Sequence, residues 1–113
     1  MDYIFCSTPD EVNENALRIL QEDKYDLITV YNGNFDEQMH RTGPNSPEAL
    51  AMLDHNAAAY ETLVKAAGEV WKGIPHMCAF LPDHGCHDID GGLGSHGLDM
   101  EEDMNIIHFY SFE

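Results

Sequence analysis

Apolar positions along the chain follow two rhythms. Short dense runs occur at Tyr3-Ile4-Phe5-Cys6, Leu27-Ile28-Thr29-Val30-Tyr31, Met77-Cys78-Ala79-Phe80-Leu81 and Ile106-Ile107-His108-Phe109-Tyr110. Their length and their β-branched and aromatic content predict strands over 2–7, 26–31, 76–81 and 105–110. The second rhythm is helical: Val12, Ala16, Leu17 and Leu20 recur every three to four residues. Leu50, Leu53, Ala57, Tyr60, Val64, Ala67 and Trp71 do the same and read as a core-facing stripe.

Local end signals agree with the helices. Thr8 can accept from free N–H groups, Pro9 suits the first helical position, and Glu11 completes a capping box. That helix should stop near Lys24. Ser46, Pro47 and Glu48 open the second helix, and Gly73 with Pro75 ends it after roughly six turns.

The order is then β-α-β-α-β-loop-β. Strands alternating with helices predict an α/β fold, a mostly parallel sheet with flanking helices and right-handed crossovers. Residues 1–113 read as a single α/β domain. The compositional exception is 82–103, which holds seven acids, five glycines, three histidines and no Lys or Arg. A loop that long between buried strands is expected to be functional.

Charge narrows the partners. The chain has 21 acidic and 5 basic side chains, 7 histidines and a formal net charge of −16. Nucleic-acid binding is excluded as an expectation, because phosphate contacts need Lys or Arg; an anionic membrane surface is disfavoured for the same reason. No run approaches the ~20 apolar residues of a membrane span. Cys6, Cys78 and Cys86 form no CxxC pair and leave an odd count. They read as reduced thiols in a cytoplasmic protein.

The candidate chemistry is divalent-cation binding. Asp36 and His40 are spaced i,i+4, on one face of a helical turn. Asp83 and His84 are adjacent, followed by Gly85, and His96 is flanked by Ser95 and Gly97, with Gly94 before them. Open α/β sheets place ligands beyond strand C-termini, where these segments should converge. Mixed Asp/His ligation suits zinc, with manganese and iron as alternatives. His55 and His108 read as structural histidines. Asp99, Glu101, Glu102 and Asp103 read as a solvated turn.

In order and spacing, Asp36-x-x-x-His40-x-x-Gly43-Pro44-x-Ser46-x-Glu48, then Asp83-His84-Gly85, then Gly94-Ser95-His96-Gly97, resemble the metal-binding second half of the alkaline phosphatase superfamily. The nearest branch is the type I phosphodiesterase / nucleotide pyrophosphatase group, and the resemblance spans about residues 25–110. It implies a partial alkaline-phosphatase-like layered fold, the C-terminal portion of a larger phosphoesterase, with 82–103 as its metal-site loop. It implies that Asp36, His40 and His96 bind one ion and that Asp83 and His84 bind a second. It implies hydrolysis of phosphoric esters by in-line displacement between two metals in the full-length family.

The departures are equally specific. The family's early metal-binding Asp and its Ser or Thr nucleophile precede the matched portion. Thr8 and Ser46 read as caps, Thr29 lies within a strand, and Pro82 stands where the family has Ser or Thr. The chain alone is therefore expected to be inactive. Cys86 has the chemistry of a zinc ligand but matches no family ligand position. His87 lies beside the site, and Asp88 reads as a solvated carboxylate or a group that orients a histidine. Two helices cannot cover both faces of a parallel sheet. A dimer, or a complementing N-terminal portion, is the expected partner, with a phosphate ester as substrate in the full-length family. The alternative is a non-catalytic metal-binding or acidic protein-interaction module.

Overall fold

The computed structural model describes residues 1–113 as four helices and two separate two-stranded sheets. The elements are α1 (Pro9–Glu22), α2 (Asn34–Thr42), α3 (Pro47–Val70), β1 (Met77–Phe80), β2 (His87–Ile89), β3 (Leu93–Ser95), α4 (Glu101–Met104) and β4 (Phe109–Phe112). Both sheets are antiparallel. The expected mostly parallel sheet of a layered, alkaline-phosphatase-like α/β fold is not formed.

Helices α1 and α3 start where their caps predict. Thr8 Oγ1 accepts from Glu11 N–H, and Ser46 Oγ accepts from Ala49 N–H. Glu11 reaches back to Ser7 N–H at 2.8 Å. The helices lie side by side in the same direction. Asp10 meets His55 at 3.1 Å near one end, and Trp71 Nε1 donates to Asp23 at the other, 2.7 Å away. Ala16 and Leu20 are buried on α1. On α3 the buried positions are Ala49, Asn56 and Ala67, while Leu50, Leu53 and Ala57 face outward. The first half of the expected core stripe thus has nothing covering it.

The parallel sheet fails for want of partner strands. A parallel pair needs neighbours supplied by other strands, and residues 2–7 and 26–31 find none. No main-chain hydrogen bond joins residues 1–7 or 24–32 to another main-chain group. β1 instead pairs antiparallel with β4, Met77 opposite Phe112 and Phe80 opposite Phe109. His76 and Glu113 exchange main-chain hydrogen bonds of 2.9 and 3.1 Å and lengthen this ladder by one pair. The last strand is shifted from 105–110 because α4 turns the chain just before it.

The second hairpin lies inside the segment expected to be a loop. His87 pairs with Ser95 and Ile89 with Leu93. Gly91 and Gly92 turn the chain with φ of +83° and +72°, a region that favours glycine. α2 packs between α3 and β3, with Met39 fully buried in the middle.

Only ten residues are buried, and the radius of gyration is 15.8 Å. A packed domain of this length has roughly 13 Å. The chain is therefore open for its size. No helix is long and apolar enough to cross a membrane.

Candidate metal centre

α2 supplies the first two ligands. Asp36 sits in its first turn, where the free N–H groups favour a carboxylate, and His40 in its last. Gly33 O accepts from Glu37 N–H, and Gly43 N–H caps Met39 O. β3 and the residue after it supply the rest. Gly94 O lies 3.0 Å from His40 Nδ1. A carbonyl only accepts, so Nδ1 carries the proton and Nε2 keeps a free lone pair. His96 follows β3 and tilts against His40, with ring centroids 5.0 Å apart.

Around Asp36 Oδ1 the imidazoles converge. His96 Nε2 is 3.1 Å away, His40 Nε2 3.6 Å and His84 Nε2 3.9 Å. The ligand atoms of Asp36, His40 and His96 all lie within 4.8 Å of one another. Bonds of about 2.0–2.2 Å to a tetrahedral cation separate ligands by roughly 3.3–3.5 Å. The set fits such an ion with small side-chain movements. Asp36 Oδ1 itself is buried and accepts no hydrogen bond. A buried carboxylate oxygen without a partner is costly, and here it faces lone-pair donors. That donor set and orphaned oxygen fit a divalent cation.

His84 belongs to the edge of this cluster. Its Nδ1 donates to Gly85 O at 2.8 Å, which leaves Nε2 free. Its ring stacks on His96 at 3.8 Å with planes 26° apart. Such planes meet well beyond the ~2 Å bonding distance, so the two histidines do not converge on one ion. Asp83 Oδ1 is 3.8 Å from His84 Nε2, and Asp83 is largely exposed. The five expected ligands thus form a compact trio and a looser adjoining pair.

The flanking residues separate clearly. Burial pushes the Cys86 thiol up, and the charges of Asp103, Asp36 and Asp88 push it further. Its sulfur is not part of the Asp36, His40 and His96 ligand cluster. Asp88 is exposed and accepts weakly from Asn45 at 3.5 Å. His87 turns away to Asp103, 2.7 Å from Nδ1 to Oδ1. His55 pairs with Asp10, and His108 Nε2 lies 3.2 Å from Pro82 O.

The sequence reading missed Asp103. Its side chain was expected to be solvated, yet it is almost fully buried. Burial pushes its carboxyl up, but the His87 hydrogen bond and charge, with the Leu98 and Gly97 N–H groups, outweigh that and hold it below the ordinary carboxylate value. Nothing in Glu101-Glu102-Asp103 marks the third acid as different from the other two.

Two glycines fix the approach of the loops. A Cβ on Gly94 would collide with the Met39 carbonyl, and one on Gly85 with the Glu102 carbonyl. Gly94→Ala should cost about 1–3 kcal/mol through overpacking. It should also draw Gly94 O away from His40. Thermal unfolding checks the first effect and cation titration the second.

Two clefts lie away from the cluster. One of about 430 Å³ is lined by Gly68, Lys72, His76 and Glu113, and another of about 300 Å³ lies between α1 and α3. No protein-family model, curated protein or solved structure matches the chain.

Proposed function

We propose that this chain binds a divalent cation through Asp36, His40 and His96 and forms the metal-binding portion of a metal-dependent phosphodiesterase or phosphatase. The carrying observation is the buried, unpartnered Asp36 Oδ1 with imidazole nitrogens at 3.1 and 3.6 Å. Asp83 and His84 offer a second, two-ligand position beside it. Zinc suits the donor set best, with manganese and iron as alternatives. The order and spacing of the three motifs support the phosphoesterase assignment. A bound cation supplies positive charge to a phosphoryl oxygen and to an attacking hydroxyl.

The chain's own residues hold and orient. His40 and His84 have their Nδ1 protons committed to carbonyls, so both present Nε2 to the site. The hydroxyls of Thr8, Thr42, Ser46 and Thr62 are taken by the main chain of the helices they cap or lie in. None of these four is poised as a nucleophile.

Calorimetric titration with zinc chloride, and separately with manganese chloride, tests the reading. One tight site per chain is expected, lost in the His40→Ala/His96→Ala double variant. Aryl phosphate monoesters and diesters should not be turned over by the chain alone. Absence of binding in the unmodified chain would overturn the metal site. Metal-dependent turnover abolished by Asp83→Ala would overturn its incompleteness.

A further inference from the structure

The cluster is held together by a residue that is not in it. Asp103 lies in α4, close to the loop arms that carry His84 and His96. Its Oδ2 accepts from Leu98 N–H at 2.8 Å, two residues beyond His96. Its Oδ1 accepts from His87 Nδ1 at 2.7 Å, at the start of β2. Its main-chain carbonyl accepts from Gly85 N–H at 2.8 Å, directly after His84. One buried residue therefore clamps the 83–87 arm twice and the 96–98 arm once.

We propose that Asp103 is a positioning residue for the metal centre, fixing His84 and His96 against each other without touching the ion. The inference rests on the metal-binding reading above. Its physical content is a tolerance argument. Ligands must be held within about 0.5 Å and 10–20° of productive geometry, and here two of them sit on loops rather than on a long helix. The stack of His84 on His96 and the approach of His96 to Asp36 both depend on how the two arms abut. Glycine at 85 gives that contact room, because a Cβ there would strike the Glu102 carbonyl. The carboxylate is well suited to the task. It has two oxygens, and each takes one donor from a different arm.

Asp103→Asn keeps the size but replaces one acceptor by an N–H2 donor: with the amide oxygen on Leu98 N–H, His87 stays bonded only by moving its proton to Nε2, and the charge-assisted bond to the 83–87 arm is lost either way. Cobalt(II) chloride is the probe, because its visible absorption reports coordination geometry as well as occupancy. The expected result is affinity weakened about 10–100-fold, with an altered visible spectrum at saturation. His87→Gln, which removes a single clamp, should give a smaller loss in the same direction. Leu20→Ala, in the α1 core away from the site, should destabilise the fold and leave affinity and spectrum unchanged. Should Asp103→Asn fail to fold, His87→Gln against Leu20→Ala decides the matter.

The outcomes separate cleanly. Affinity and spectrum unchanged in Asp103→Asn, or shifted equally by Leu20→Ala, overturn the positioning role while the metal site stands. No cobalt binding in the unmodified chain overturns the site, and the positioning role with it.

Discussion

Asp36→Ala is expected to abolish tight cation binding, at least 100-fold in affinity, while leaving the cation-free fold as stable as before or slightly more so. The two halves of this result come from one atom. Asp36 Oδ1 is buried without a hydrogen bond. An acceptor in that state costs about 1–3 kcal/mol relative to a satisfied one, so its removal relieves the fold. It is also the point to which His40, His84 and His96 turn their Nε2 atoms. Without it the site keeps histidines but loses the only carboxylate in the trio. Cation-induced stabilisation measures both halves together. At about 100 times Kd, a bound ligand adds about 2.7 kcal/mol, which raises Tm by several degrees or more in a domain of this size. The unmodified chain should show that rise with zinc and Asp36→Ala should not, from similar starting temperatures. A cation-free Asp36→Ala that melts well below the parent, with the zinc shift intact, would make the carboxylate structural.

The same residue shows which placements are legible in the sequence. Asp36 and His40 are four residues apart, and a helical turn alone brings them to one face. The caps at Thr8 and Ser46 are local too, so α1 and α3 began where the sequence placed them. Strand pairing is not local. The run 76–81 reads as a strand from its own composition, but nothing within it says that residue 112 will lie opposite residue 77. The parallel arrangement was inferred from alternation of elements, which presumes that 2–7 and 26–31 find neighbours. The hairpin 87–95 had a signal that was passed over: Gly91-Gly92 between two short runs. Its strands are only three residues each and include His87 and Asp88, so they resemble a polar loop. Asp103 had no signal. Its burial depends on α4 folding under the arms of the site, a tertiary event.

Double replacement of Leu27 and Tyr31 by lysine is expected to convert a self-associating chain into a monomer. The run 27–31 is largely apolar and β-branched, the composition of a strand covered on both faces. Here one face is open, with Leu27 81% exposed and Tyr31 72%, while Ile28 and Val30 between them are half-buried. Tyr3 and Phe5 are similarly open in the other unpaired segment. The backbone of both segments has no main-chain partner, so its donors and acceptors are free to extend a sheet with another chain. Tyr3, Ile4, Phe5, Leu27 and Tyr31 together expose on the order of 700 Å², against roughly 800 Å² per partner in a standard interface.

The charge of −16 per chain opposes association, but no acid lies between Leu27 and Phe35 or between Tyr3 and Pro9. Like charges need not meet across the new edge, and their repulsion acts at longer range, where salt screens it. Sedimentation velocity at about 50 µM should therefore show more dimer at roughly 500 mM than at 20 mM sodium chloride. Lysine is the informative replacement because it lowers the net negative charge. Were repulsion the only control, Leu27→Lys/Tyr31→Lys would associate more strongly than the parent. If the apolar strand drives assembly, the added cations break it at either salt. A parent chain that stays monomeric at both salt concentrations would remove the self-pairing edge, and the open segments would then require a complementing polypeptide. The strand also runs through Asn32 and Gly33 into the first turn of α2, three residues before Asp36. Ordering it on a neighbouring chain steadies the helix that carries the ligands, so cation affinity should rise with protein concentration in the parent and not in the lysine variant.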